Sequence, residues 1–250
     1  MTDLTGKVAL VTGSARGVGA EIASRYASLG AKVILNYASD ATGARRTLET
    51  IQDAGGEVIA VQADLRDLMQ IDALFEAAIA EFGKIDIVVA NAGVEIIDQP
   101  VLDATEEDHD RLYAINTKGT FFTLQRAARH IADNGRILPI GSSTTCGPFP
   151  GVGLYGSSKM SARYLVRVLA MEIGHRGVTV NTILPTVIEG AGVFTEIAAD
   201  DPFKLQNQAR PIGGRMGRPD DVADAAEYFA GDLAAWVSGQ DLLVSGGAAQ

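Results

Sequence analysis

Short runs rich in Val and Ile alternate along this chain with longer segments whose apolar residues recur at helical spacing. The runs lie at Lys7–Thr12, Lys32–Tyr37, Glu57–Gln62, Ile85–Ala90, Arg136–Gly141, Thr179–Leu184 and Asp241–Val244. Between them, Val18–Leu29, Ala41–Ala54, Asp67–Phe82, Thr105–Ile131 and Tyr155–His175 have the period of amphipathic helices. Near-continuous apolar strands separated by helices predict a parallel sheet covered on both faces, because each crossover lays a helix over it. The pattern predicts one α/β domain over residues 1–250, a doubly wound sheet of about seven parallel strands with helices on both faces. Residues 185–217 break the rhythm, with Pro, Gly and Asp among isolated apolar residues such as Phe203, and are expected to form a substrate-binding loop or lid.

The first run passes directly into Thr12-Gly13-Ser14-Ala15-Arg16-Gly17-Val18-Gly19, and a helix starts at once. Glycines there allow a tight turn and close approach of the backbone to a pyrophosphate, which the positive end of the helix favours. At the start of a βαβ unit this is a Rossmann-type dinucleotide cradle, with Gly13, Ser14, Arg16, Gly17, Val18 and Gly19 as candidate contacts. The second run ends Leu35-Asn36-Tyr37-Ala38-Ser39, with no carboxylate before Asp40 to hold the free ribose 2′-hydroxyl of NAD. Arg16 offers a cation to a 2′-phosphate, with Ser39 and Asn36 as added hydrogen-bonding groups, so NADP(H) is the expected cofactor. The alternative leaves Arg16 in solvent and turns Asp40 inward to hold NAD. Tyr37, Asp64, Leu65, Asn91, Ala92, Gly93, Pro185 and Val187 sit at or just after C-terminal strand ends, where ligands of doubly wound sheets bind, and complete the candidate cofactor contacts.

Tyr155 and Lys159 are four apart at the start of a predicted helix and share one face. An ammonium beside a phenol favours the phenolate and lowers a pKa ordinarily of about 10, which suits proton transfer near neutrality. Ser142, thirteen residues before the tyrosine, can hold a carbonyl oxygen toward it, with Ser143 as the neighbouring competitor. Asn116 lies within a long helical pattern although Asn is a poor helix former, which points to a side-chain or water-relay role.

Together, TGxxxGxG at 12–19, Asn91-Ala92-Gly93, Asn116, Ser142 and YxxxK at 155–159 resemble the short-chain dehydrogenase/reductase family over nearly the whole chain, in motif order and spacing. The sequence looks most like bacterial 3-oxoacyl-carrier-protein reductases. The resemblance implies a catalytic tetrad of Asn116, Ser142, Tyr155 and Lys159, with Lys159 also holding the nicotinamide ribose. It places Asp64 and Asn91 at the adenosine half and the neighbouring ribose, and implies a homotetramer built on the Asn116-bearing and Tyr155-bearing helices and the C-terminal strand. The expected reaction is reduction of a small ketone by NADPH, with Tyr155 donating the proton. Where the family usually has Pro-Gly, this chain has Pro185-Thr186, and Thr186 cannot take a positive φ as cheaply as glycine.

A pocket of Val94, Ile96, Thr145, Phe149, Val187, Ile188, Val193 and Phe194 would suit an apolar carbonyl compound. Either Glu95 or Glu189, if it faces that pocket, would favour an amine- or polyol-bearing substrate. Two other readings use the same scaffold: a non-catalytic NADP-binding sensor, and a halohydrin dehalogenase-like lyase. The lyase dispenses with the dinucleotide and replaces the lysine by arginine, so Lys159 and the intact glycine turn oppose it.

Charge and composition narrow the partners. A net charge of −10 without any Lys/Arg run excludes a nucleic-acid surface. Arg176 fits a basic rim for an acidic carrier protein, yet Asp133-Asn134 and the overall charge oppose such a partner, leaving a free small molecule. No apolar stretch approaches the ~20 residues that span a bilayer. The lone Cys146 forms no intrachain disulfide, and the first residues lack a secretory pattern, so a cytoplasmic setting is expected. Cys146 is expected to behave as a small buried hydrophobe. His109, His130 and His175 lack metal-ligand spacing, and no metal site is expected. Pro139 removes a ladder donor from a predicted strand and predicts a bulge just before Ser142.

Overall fold

The computed structural model describes residues 2–195, 204–205 and 210–248; of Phe194 only the backbone is described. In chain order they form β1 (Val8–Val11), α1 (Gly17–Ser28), β2 (Lys32–Tyr37), α2 (Ala41–Asp53), β3 (Val58–Gln62), α3 (Leu68–Phe82) and β4 (Ile85–Ala90). Next come α4 (Glu106–Leu112), a π-helical segment (Tyr113–Gly119), α5 (Thr120–His130), β5 (Ile131–Pro139), α6 (Gly153–Ile173), β6 (Thr179–Val180), β7 (Thr182–Pro185), α7 (Pro219–Ala230) and β8 (Asp241–Val244). Six strands make an all-parallel Rossmann-like sheet in the order β3-β2-β1-β4-β5-β6, and β7 pairs with β8, also parallel. No helix among the described residues is long and apolar enough to cross a membrane.

Alternation along the strands sorts the core into two layers. Ala9 and Val11 of β1 join Ile22 and Tyr26 of α1 and Phe229 of α7 on one face; Val8 and Leu10 join Leu74, Phe75, Leu124 and Val166 on the other. The Tyr26 hydroxyl donates to the Ala226 carbonyl at 2.9 Å, tying α1 to α7. Strand order reverses between β1 and β4, and a cleft opens above their C-terminal ends, as expected at such a switch point.

Four details depart from the sequence reading. The predicted helix Thr105–Ile131 is divided into α4, the π-helical segment and α5, and Ile131 opens β5. The predicted strand Thr179–Leu184 is divided into β6 and β7 at Asn181. Pro139 accounts for the break. The Ile140 N–H donates to Ala90 on β4 and the Gly141 N–H to Ile183 on β7, so the proline nitrogen, by alternation, faces Asn181 and has no hydrogen to give. The expected bulge at Pro139 is absent: Leu138 and Pro139 pair in register with Val89 and Ala90, and the irregularity of this pair lies between Ile85 and Ile87. Helix α7 was not anticipated, although Pro219 at its start and Asp220 and Asp221 in its first turn are start signals. The Asp221 carboxylate accepts the Arg218 N–H at 2.7 Å.

Candidate active site

The turn between β1 and α1 is braced from two sides. From β4, Asn91 Nδ2 donates to the carbonyls of Thr12 and Gly13, both at 3.0 Å, while Thr12 Oγ1 accepts the Asn91 and Ala92 N–H groups. A Cβ at Gly19 would stand 2.5 Å from Asn91 Nδ2 and from the Gly13 carbonyl, so only glycine fits there. From β2, buried Asn36 accepts the Gly13 N–H at 3.2 Å and donates to the Ala63 carbonyl at 3.0 Å. Helix α1 carries no acidic residue in its first turn and no side-chain cap, which leaves its first N–H groups for an anion.

A cleft of about 650 Å³ runs from this turn to the start of α6. Gly13, Arg16, Gly17, Val18, Gly19, Asn36, Tyr37, Ser39, Asp64, Leu65, Asn91, Ala92, Gly93, Pro185, Ser142, Tyr155 and Lys159 all line it. Two expected contacts do not. Ser14 is fully buried and its hydroxyl donates to the Val11 carbonyl at 2.8 Å, and Val187 lies outside the lining. Asn36 faces the cleft, but its amide is occupied by Gly13 and Ala63, so it shapes the turn instead of reading a phosphate. Asp40 caps α2 by accepting the Gly43 N–H at 2.9 Å, while Arg16, which is exposed, and Ser39 both line the cleft. Asp64 is paired with Arg66, whose hydrogen bonds hold its carboxyl below the usual range.

At the other end, Tyr155 and Lys159 lie one turn apart near the start of α6, 5% and 6% exposed. Lys159 Nζ donates to the Ile140 carbonyl at 3.3 Å and sits 6.0 Å from the centre of the Tyr155 ring. Burial pushes the lysine below its ordinary value, against the pull of the Glu95 carboxylate. The expected lowering of Tyr155 is not found. Burial pushes the phenol up, the Glu95 carboxylate adds to this by charge and by accepting its hydrogen at 3.2 Å, and the Ser142 hydroxyl works the other way. Ser142 Oγ accepts the Thr144 hydroxyl at 2.9 Å, so its own hydrogen is directed to the Tyr155 side of the cleft, where a carbonyl oxygen could take it; Ser143 is outside the cleft. Asn116 is fully buried in the π-helical segment, where its amide clamps the Val94 backbone, accepting N–H at 3.0 Å and donating to the carbonyl at 2.8 Å.

A glycine cradle that side chains would fill, at the switch point of a parallel sheet and continuous with a Ser, Tyr and Lys group, fits a dinucleotide and a second small molecule. A family model described as enoyl-(acyl carrier protein) reductase matches residues 13–249. The chain belongs to the short-chain dehydrogenase/reductase family. The short chain dehydrogenase claC of Passalora fulva is 36% identical over 260 residues, 98% of this chain and 96% of its own. A probable tetrahydroxynaphthalene reductase of Zymoseptoria tritici is 36% identical over 261 residues, 98% of this chain and 95% of its own. The structure of a short chain dehydrogenase from Burkholderia cenocepacia in complex with NADP superposes with a TM-score of 0.89 at 33% identity, covering 98% of both chains.

In this short-chain dehydrogenase/reductase the apolar pocket is smaller than expected. Val94, Ile188 and Val193 line the cleft, whereas Ile96, Thr145, Phe149 and Val187 do not, and Phe149 is 54% exposed. The side chain of Phe194 and all of Phe203 lie outside the described residues. Cys146 is exposed, contrary to expectation, because it sits in the surface turn after Thr145. Thr186 is not among the described non-glycine residues with positive φ, which are Asp98 and Asn134. Its N–H donates to the Val244 carbonyl at 3.1 Å. Arg176 is engaged with Asp133 and with the carbonyls of Ala128 and Ile131. Of the two acidic residues that the sequence offers for the pocket, Glu95 lines the cleft and Glu189 pairs with Lys204; no motif marks Thr144.

Proposed function

We propose that this protein is an NADP(H)-dependent reductase of ketones, with Asn116, Ser142, Tyr155 and Lys159 as its catalytic group and Tyr155 as proton donor. The observation that carries this is the meeting of Ser142, Tyr155 and Lys159 with the glycine turn in one cleft. Arg16, with Ser39, would hold the 2′-phosphate, since Asp40 is occupied as a helix cap and no carboxylate is left at that end to prefer a free hydroxyl. Gly13, Gly17, Val18 and Gly19 would take the pyrophosphate, and Asn91 to Gly93 the neighbouring ribose. NADPH, when bound, supplies the hydride that reduces the carbonyl carbon.

The chain's own groups do the rest. Ser142, its oxygen already accepting from Thr144, donates to the carbonyl oxygen. Tyr155, raised by burial, stays protonated at neutral pH and gives its proton to the forming alkoxide. Lys159 supplies positive charge beside the phenol as it ionises, and Asn116 fixes the backbone at Val94 across the cleft. The substrate loop expected over residues 185–217 falls in part, at 196–203 and 206–209, outside the described residues; Ile188 and Val193 are its described apolar contributions to the cleft. The assembly is a homotetramer: α6 exposes Met160, Tyr164 and Met171, and Trp236 and Leu242 expose apolar surface near β8.

The test is the fall in NADPH absorbance with a panel of ketones, repeated with NADH and with Tyr155→Phe. Faster consumption of NADPH than NADH, and a loss of about 10²- to 10⁴-fold in Tyr155→Phe with cofactor binding retained, is the expected result. Full turnover in the Phe variant refutes the assignment.

A further inference from the structure

The lining of the cleft holds three carboxylates, and two are accounted for: Asp64 is paired with Arg66, and Asp40 caps α2. The third, Glu95, reaches the reacting centre from the loop after β4. One of its oxygens accepts the Tyr155 hydroxyl at 3.2 Å, and the other accepts the Val193 N–H at 3.1 Å. A Cβ at Gly192 would meet the tip of the Glu95 side chain, so the carboxylate lies against the backbone of this loop. The other acidic candidate, Glu189, is neutralised by Lys204 at 2.6 Å. Among the described residues no cation lies within ion-pair distance of Glu95.

A neutral apolar ketone would be a poor occupant beside such a group. Its binding would strip water from the carboxylate and offer no charge in return, which is unfavourable for an ion without a salt-bridge partner. Its carbonyl oxygen would also draw the Tyr155 hydroxyl away from Glu95, removing one of the two donors the carboxylate has. A substrate that brings its own cation resolves both. We propose that Glu95 is the specificity-determining residue of this site and binds a protonated amine on the substrate, so that the enzyme reduces amino ketones. This rests on the reductase reading above.

Geometry limits where the amine sits. Tyr155 must lie about 3 Å from the carbonyl oxygen, and an ammonium about 3 Å from Glu95, which itself touches the phenol. The nitrogen therefore belongs on the α or β carbon, with the remaining substrate body along Val94, Ile188 and Val193. The net charge of −10 favours approach of a cation.

Three ketones of matched shape test this: β-(dimethylamino)propiophenone, its carbon isostere with an isopropyl group in place of the dimethylammonium, and β-hydroxypropiophenone. Wild type is expected to favour the amine over the isostere by about 10- to 100-fold in kcat/KM, the worth of a charged hydrogen bond. The hydroxy ketone is expected to stay near the isostere. Glu95→Gln brings the amine preference close to unity, chiefly through KM, and Glu95→Asp, which keeps the charge, retains part of it. Calorimetry with the corresponding amino alcohol and NADP adds a readout without turnover, with binding about tenfold or more weaker in Glu95→Gln. No amine preference in wild type, an equal preference for the hydroxy ketone, or a preference that survives in Glu95→Gln overturns the proposal. Glu95-dependent binding of the amine with no ketone reduced would instead overturn the reductase reading and leave the role of Glu95 standing.

Discussion

A Cβ on Gly93 would stand 2.8 Å from the ammonium of Lys159 and 3.0 Å from Asn116 Oδ1. The strand end after β4 therefore sets how closely Lys159 approaches the cofactor side of the cleft. In Gly93→Ala the cheapest relief is displacement of the lysine tip, not of the backbone. Activity is expected to fall by roughly 10- to 100-fold, as misplacement of a catalytic group by about an ångström does, while the melting temperature changes little. Steady-state kinetics and a thermal melt together check this; a large loss of stability with normal activity in the surviving fraction contradicts it.

The pH profile follows from the shared influence of Glu95. Burial holds Tyr155 above its ordinary value and Glu95 raises it further, while burial lowers Lys159 and Glu95 opposes that. The proposed mechanism needs a protonated phenol and a charged lysine, so wild-type kcat is expected to be level through neutrality and to fall only on the alkaline side. Neutralising the carboxylate lowers both groups. In Glu95→Gln the alkaline limb should therefore move toward neutral pH, and a limb that stays or moves upward rejects the electrostatic assignment.

On the proposed reading, Arg16 sets cofactor choice. Its replacement by Ala should reduce the NADPH-over-NADH ratio in kcat/KM by about 10- to 100-fold, corresponding to a lost hydrogen bond between charged groups. Asp40→Ala, which removes only the α2 cap, should cost about 1 kcal/mol of stability and leave that ratio near the wild-type value. A ratio unchanged by the arginine variant would mean that the 2′-phosphate is held elsewhere.

Asn36 is expected to act through stability. It is 1% exposed and joins the Gly13 N–H to the Ala63 carbonyl, so Asn36→Ala leaves both without this partner inside the sheet end. A loss of about 1–3 kcal/mol in urea unfolding is expected, together with weaker binding of NADPH and NADH alike. Discrimination between the two by this variant would restore Asn36 as a direct phosphate contact.

The frame was legible in the sequence because its signals are local. Apolar runs of strand length between helix-period segments, and glycines placed where β1 meets α1, dictate the βαβ start whatever the rest of the chain does. The spacing of Tyr155 and Lys159 fixes their common face in the same way, since one helical turn separates them. Helix α7 carries equally local start signals in Pro219, Asp220 and Asp221, although the irregular segment before it masks the helical period. Tertiary structure alone decided what long-range contacts decide. Asn36 and Arg16 read alike as polar candidates until packing buried one amide against Gly13 and Ala63 and left the other side chain at the cleft mouth. The break at Asn181 depends on which way a proline nitrogen on the neighbouring strand points. Glu95, 60 residues from Tyr155 in the chain, meets it only because β4 ends and α6 begins at the same edge of the sheet, and no sequence spacing encodes that distance.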